Sequence, residues 1–312
     1  MDKLKNYLTT TSYKEYRLTT VSADASFRKY YRLTNKKNSF ILMDSSLELH
    51  SLKPFIDVTY RLQNIGLKVP KILLENLQEG YLILEDFGDK VLLNHLNINN
   101  FKEYYLQAID SILRLQKADT KNLALYDKEF LQKEMDLMQE WYLEKKLQLK
   151  INSKEESLIK KTLNAISNII LTQPQDTFVH RDFHSRNIML TKKDELGIID
   201  YQDAMNGAIT YDLVSLLKDC YIVFNREEIE NIALIFRDKK GLKVSDKTFL
   251  KWFDFMGLQR HIKVLGIFSR LSLRDDKDSY LKDIPLVLKY TIETALRYEE
   301  TKAFAYFLKS KH

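Results

Sequence analysis

The stretch Phe178-Val-His-Arg-Asp-Phe-His-Ser-Arg-Asn-Ile-Met-Leu190, FVHRDFHSRNIML, decides the fold. Its polar run is bracketed by apolar, strand-prone residues: Phe178-Val179 before it, Ile188-Met189-Leu190 after it. A second stretch, Gly197-Ile-Ile-Asp-Tyr-Gln-Asp203, follows across the turn TKKDE, and the two read as a tight hairpin. Buried flanks fix the backbone, so the polar loop presents its side chains rigidly. Asp182 and Asn187 are five positions apart, and Asp200 follows at the end of a strand. The Asn187 amide and the Asp200 carboxylate are hard oxygen donors. Two such donors suit Mg²⁺, which completes its octahedron with phosphates and water. Asp182 is then left to accept a proton from a hydroxyl nucleophile.

Working outward, residues 17–34 read as two short strands around the small-residue turn Val-Ser-Ala-Asp-Ala-Ser, and 40–46 as a third. Residues 52–66 carry Pro54 in the first turn, apolar residues at helical spacing and a closing Gly66, a helix. Residues 68–88 give two more strands around Glu79-Gly80. Helical periodicity then runs over 99–117, 127–148, 154–171, 211–224, 246–272 and 285–309. The expected fold is α+β: a small antiparallel-sheet lobe with one helix over 1–88, and a large mainly helical lobe over 89–312 that carries the polar hairpin.

Bulk composition narrows the function. The chain is 312 residues, 45% hydrophobic and 29% charged, with net charge +6. That charge is mild for a nucleic-acid binder, and no arginine-rich tract appears, so no nucleic-acid partner is expected. No apolar run approaches the ~18–20 residues of a membrane span, and the N-terminus lacks the apolar core of a signal peptide. A single cysteine, Cys220, excludes an internal disulfide or a multi-cysteine zinc cluster and reads as core within a helical pattern. A reducing, cytoplasmic setting is expected.

His-Arg-Asp-x-x-x-x-Asn at 180–187 is the catalytic-loop signature of the protein-kinase-like fold. His184 two residues after Asp182, and a short interval between Asp200 and the helix opening at Asp212, leave no room for a peptide-holding activation loop. In these features the chain resembles the aminoglycoside phosphotransferase/choline kinase family. SADASFRKYYRL, LEDFGD, HRDFHSRNIM, IIDYQDAMNGAITYDLVSLLKDCY and QRHIKVLGIFSRL together resemble its bacterial anomeric kinases for N-acetylmuramate and N-acetylglucosamine, which serve cell-wall recycling. The resemblance runs from about residue 5 to residue 305. It implies an ATP- and Mg²⁺-dependent kinase whose partner is a small molecule, an amino sugar. Alternatives are an aminoglycoside or amino-alcohol kinase, or a nucleotide-binding pseudokinase-type module.

On this reading Asp182 is the base, His184 sits where it meets the γ-phosphate, and Asn187 and Asp200 hold the metal. His180 braces the loop, and Asp212 caps its helix or braces the same loop. LEDFGD at 84–89 contains the kinase metal triplet Asp-Phe-Gly, but it precedes the catalytic loop, whereas the metal aspartate must follow it. Its place is the junction between lobes, with the Glu85 carbonyl and the Phe87 amide facing an adenine edge. The phosphate side departs from the kinase pattern. The turn has no glycine, leaving Ser26 as a contact, and Met43 occupies the usual strand-three lysine position. Arg28 is the favoured substitute cation, ahead of Arg32 and Lys29, with Asp57 as its carboxylate partner. For the acceptor, Asp203 and the cation-rich helix with Arg260, Lys263 and Arg270 are candidates; Lys263, Arg270 and Arg274 fall on one helical face. Asp219 is a weaker one.

Overall fold

Residues Arg17–Ala23 (β1), Lys29–Thr34 (β2), Ser39–Asp44 (β3), Ile72–Asn76 (β4) and Tyr81–Glu85 (β5) form one antiparallel sheet in the order β1-β2-β3-β5-β4. The computed structural model describes residues 2–23, 28–193 and 195–312. Strand alternation places Tyr31, Leu33, Leu42, Tyr81 and Ile83 on one face, where Leu4 and Leu8 of a short helix (α1, Asp2–Thr9) pack on them. Each such residue contributes roughly 1.5–3 kcal/mol by leaving water. Met43, Leu82 and Leu84 alternate to the opposite face and are buried as well, which is why β5 reads as an unbroken apolar run. The helix Leu52–Asn64 (α2) turns Leu52, Phe55, Val58 and Leu62 inward. It ends as expected at Gly66, whose φ of 71° favours a residue without a β-carbon.

The chain divides into two compact units. The first comprises Met1–Leu92 with Asn187–Asp203, the second Leu93–Arg186 with Ala204–His312. The hairpin of Ile188–Leu190 (β7) and Leu196–Ile198 (β8) therefore groups with the sheet. Backbone bonds explain this: Leu190 N–H donates to the Lys90 carbonyl and Ile198 N–H to that of Lys68, each at 2.8 Å.

The second unit is helical: Phe101–Leu115 (α3), Lys128–Leu137 (α4), Ser153–Ile170 (α5), Tyr211–Leu217 (α6), Arg226–Lys240 (α7), Asp246–Asp275 (α8), Ile284–Ala295 (α9) and Glu299–Ser310 (α10). A small ladder pairs Thr177–Val179 (β6) with Met205–Gly207 (β9). Helix α8 is buried over most of its length, Lys263 and Arg260 included. At Gly266 a β-carbon would lie 2.4 Å from the Leu137 backbone, so glycine lets α8 cross the end of α4.

Several elements differ from expectation. The helix expected to 148 turns π-helical over Met138–Lys146. Helix α6 stops at Leu217, so Cys220 is buried but lies beyond the helix. Helices α1 and α7 were not anticipated. The helix expected over 285–309 breaks in two, because an extended Tyr298 sends its hydroxyl to buried Asp254 at 2.8 Å. Asp254 also takes Lys218 (2.6 Å) and Arg226 (2.8 Å), drawing the ends of α6 and α7 onto α8.

Candidate active site

In the second unit, buried β6 delivers His180, Arg181 and Asp182 into a tight turn. Arg181 has φ 76°, a strained conformation for a side chain of its size. Two neighbours and one internal bond hold the turn. The Asp212 carboxylate, buried at the start of α6, accepts the N–H groups of His180 (2.8 Å) and Arg181 (3.0 Å). Arg260 Nη1 donates to the Arg181 carbonyl at 2.8 Å. Asp182 N–H donates to His180 Nδ1 at 3.2 Å, which fixes that imidazole as the Nε2-protonated tautomer when neutral. Both His180 and Asp212 are thus loop braces. Burial pushes the Asp212 carboxyl up to about 6, against the pull of His180 and the two N–H groups.

The Asp182 side chain remains 43% exposed, with Oδ1 3.7 Å from Arg260. It opens on a pocket lined also by His184, Tyr221, Lys263, Ile267 and Phe268. Burial alone would raise the carboxyl; Arg260 and Lys263, with Arg181 behind them, outweigh it and hold Asp182 ionised well below the usual carboxylate range. Lys263 pairs with buried Glu134 at 2.8 Å, and the same carboxylate takes Arg181 at 2.7 Å and the Tyr126 hydroxyl. Burial lowers the His184 imidazole, so the ring is neutral. Its Nδ1 is buried and unpartnered among the described residues, and the ring stands edge-on to Tyr221. Burial raises the Cys220 thiol to about 12, which leaves it an inert wall of the same pocket.

Arg260 and Lys263 meet Asp182 here, but the expected cation row does not form. Lys263 is turned inward to Glu134. Arg270 lies about 10 Å further along the helix axis and does not line the pocket. Arg274, itself exposed, pairs with its neighbour Asp275. A helix buried around its whole circumference has no single solvent face for such a row. Asp219 holds the loop instead of opening on the pocket: its carboxylate accepts Ser185 N–H and Oγ–H at 2.9 and 2.5 Å.

In the first unit, the hairpin register sets a second pair. Ile188 faces Ile198, and Ile199 N–H donates to the Asn187 carbonyl at 3.1 Å, so Asn187 lies opposite Ile199 and Asp200 is one residue beyond. Asn187 Nδ2 lies 3.2 Å from Asp200 Oδ2; Gln202 Nε2 donates to Asp200 Oδ1 at 2.9 Å and reaches exposed Asp203 at 3.3 Å. Asp200 has φ 64°. Among the described residues, no three or more His, Cys, Asp or Glu are grouped so that they could hold a metal ion. The donor set, one carboxylate and one amide that presents oxygen by a simple flip, fits a hard cation that takes few protein ligands.

Asp86 is engaged differently. It accepts from Ser39 Oγ and from Gly88 N–H at 2.8 Å, and Arg32 Nε lies 2.8 Å away. Arg32 also reaches Asp89 at 2.7 Å. Arg32 therefore braces the LEDFGD turn. Buried Arg28 donates to Ser51 Oγ at 3.3 Å. Asp57, the partner expected for Arg28, pairs with Arg61 at 2.8 Å, four residues along its own helix. The Glu85 carboxylate takes Lys68 at 2.6 Å, and the Phe87 ring lies against Gly197. The Phe87 N–H finds no acceptor among the described residues. Ser26 lies outside the described residues.

Residues 17–239 match the family described as the phosphotransferase enzyme family. The chain belongs to this family. Two curated N-acetylmuramate/N-acetylglucosamine kinases are similar to this phosphotransferase. That of Neisseria meningitidis serogroup B is 36% identical, covering 96% of this chain and 92% of its own. That of Pseudomonas aeruginosa is 36% identical, covering 88% and 82%. Among solved structures, an ADP-bound aminoglycoside phosphotransferase matches with TM-score 0.64 at 15% identity, over 94% of this chain and 98% of that one. A choline kinase from Streptococcus pneumoniae matches with TM-score 0.66 at 13% identity, over 94% and 98%. The kinase-like α+β fold expected from the sequence is therefore borne out. Among the described residues, no helix is long and apolar enough to cross a membrane.

The phosphotransferase's His180–Asp182 turn is tied down by a residue that the sequence did not single out. Glu134 ties α4 to Arg181 and Lys263. Its signal was present: an acid at helical spacing among Leu131, Met135 and Met138, all buried.

Proposed function

We propose that this phosphotransferase moves the γ-phosphoryl group of ATP to a sugar hydroxyl, the anomeric hydroxyl of N-acetylmuramate and N-acetylglucosamine, in the cytoplasm and in the service of cell-wall recycling. The observation that carries the reading is the exposed, ionised Asp182 at the wall of a pocket whose other charged side chains are Arg260 and Lys263. The two curated relatives of that name support the sugar assignment. A polycationic aminoglycoside would meet cations where it needs carboxylates.

In this mechanism Asp182 orients the acceptor hydroxyl and takes its proton as the oxygen attacks phosphorus. Asn187 and Asp200 would hold Mg²⁺, which when bound neutralises charge on phosphate oxygens. Neutral His184 lines the pocket beside Asp182. The Phe87 N–H and the Glu85 carbonyl meet the adenine edge, and Arg28 and Ser26 serve the phosphate side. Tyr221 and Phe268 give the sugar an apolar face to pack on.

The test is a panel of N-acetylmuramate, N-acetylglucosamine, choline and kanamycin with Mg·ATP, read by product NMR. Phosphate on the anomeric oxygen of the two amino sugars is expected. Phosphorylation of choline or kanamycin instead would move the acceptor to another class. No product and no thermal shift with Mg·ATP would leave a pseudokinase-type binding module.

A further inference from the structure

The two buried cations that α8 brings to the pocket have different partners. Lys263 is neutralised by Glu134 at 2.8 Å. For Arg260, 3% exposed, the one paired carboxylate among the described residues is Asp182. Its Nη1 grips the Arg181 carbonyl at 2.8 Å, while Asp212 grips the Arg181 N–H on the opposite side of that residue. The strained residue that aims Asp182 is thus clamped from α6 and from α8. The Arg260 Nε remains buried without a partner. The other charged and titratable groups around Asp182 are committed elsewhere. Arg181 and Lys263 point to Glu134, His180 receives the Asp182 N–H, and the His184 ring, neutral, stands edge-on to Tyr221.

We propose that Arg260 is a positioning residue for phosphoryl transfer: acting through the Arg181 carbonyl and the Asp182 carboxylate, it fixes the aim of Asp182 and keeps a positive charge beside the attacking oxygen. The inference rests on the proposed function for its reaction. In that reaction the acceptor O–H proton passes to Asp182, the acceptor O–P bond forms, and the bond from γ-phosphorus to the bridging oxygen breaks to release ADP. A carboxylate held strongly ionised is a weak base. Proton transfer then comes late, and a fixed cation near the nucleophile offsets the charge that builds before it. This differs from a substrate-binding role, in which Arg260 would act on acceptor affinity alone.

The experiment compares wild type, Arg260→Gln and Arg260→Lys. Three readouts are kcat with KM, the acid limb of the kcat profile, and the Asp182 carboxyl titration by ¹³C NMR, assigned by difference with Asp182→Asn. Arg260→Gln is expected to lower kcat about 100-fold, with acceptor KM within about threefold. The acid limb and the Asp182 titration should rise by about one pH unit or more. Arg260→Lys keeps the charge but lacks the fork, so the titration should stay near wild type while kcat recovers only partly. This variant carries the comparison by itself if Arg260→Gln does not fold. A large rise in acceptor KM with kcat intact, or an Asp182 titration unmoved in Arg260→Gln, overturns the proposal. If wild type phosphorylates no acceptor, the functional reading fails, yet the carboxyl titration still decides whether Arg260 governs Asp182.

Discussion

Two aspartates of the first unit stand in similar words of sequence, Asp86 in LEDFGD and Asp200 in IIDYQD, and the structure treats them in opposite ways. The Asp86 side chain is 5% exposed and closed in by a hydroxyl, a backbone N–H and a guanidinium. Both carboxylate oxygens are engaged by protein: Oδ1 takes Gly88 N–H and Arg32 Nη2, and Oδ2 takes the Ser39 hydroxyl. Asp200 is exposed, held at a positive φ, and touched by two side-chain amides that can swing away. A carboxylate enclosed by a turn and a carboxylate exposed beside two side-chain amides are told apart by their partners, not by the letters around them.

Substitution should separate the two. Asp200→Asn is expected to lower kcat about a thousandfold with Mg·ATP, since several kcal/mol of charge stabilisation depend on the metal. Its melting temperature should stay near wild type. Asp86→Ala should do the reverse, costing about 2 kcal/mol in denaturant unfolding by leaving the Gly88 N–H and the Ser39 hydroxyl without their acceptor and Arg32 with Asp89 alone, with Mg²⁺ affinity retained. If Asp86→Ala abolishes Mg²⁺ binding and Asp200→Asn spares it, the comparison is backwards.

A third carboxylate sharpens the contrast by its titration. Asp212 is buried like Asp86, but its carboxyl is raised to about 6 by that burial. Between about pH 4 and 6 the unfolded chain has lost this proton and the folded chain keeps it. Stability from this group is therefore complete below about pH 4 and falls as pH rises through about 6. Over the full window it amounts to roughly 2–3 kcal/mol. Asp212→Asn should remove that fall, seen as a flatter difference in unfolding free energy between pH 4 and 7. An identical pH dependence in the variant would mean that Asp212 is ionised throughout.

What the sequence made legible was local. The hairpin that pairs Asn187 with Asp200 follows from alternation on either side of one turn, and Gly66 marks the end of α2 without knowledge of the rest. Contacts between distant segments were not legible. Glu134 meets Arg181, Ser185 meets Asp219, and Lys218 meets Asp254 across 47, 34 and 36 residues. No periodicity encodes such pairs. The helical face drawn through Lys263, Arg270 and Arg274 failed for the same reason, since periodicity finds a face but not what covers it. Helix α7 was recoverable: Asn225 caps it, Gly241 closes it, and Ile229, Ile232, Ala233 and Phe236 keep the period between them.

The smallest expected effect lies where the LEDFGD turn meets the hairpin. A β-carbon at Gly197 would fall 2.5 Å from the Phe87 ring and 3.1 Å from the Thr191 methyl. The backbone there is ordinary, so alanine is excluded by space and not by φ. Gly197→Ala gains some strand propensity, about 0.5–1 kcal/mol, and loses more by overpacking, leaving a net cost of about 1 kcal/mol. Its kinetic effect is the sharper measurement. Moving the Phe87 ring drags the N–H that faces adenine in the proposed function, so KM for ATP should rise several-fold while kcat at saturation barely changes. If stability falls and KM for ATP does not move, Phe87 packs the hairpin and does nothing for the nucleotide. The LEDFGD turn would then be a brace at both of its central residues.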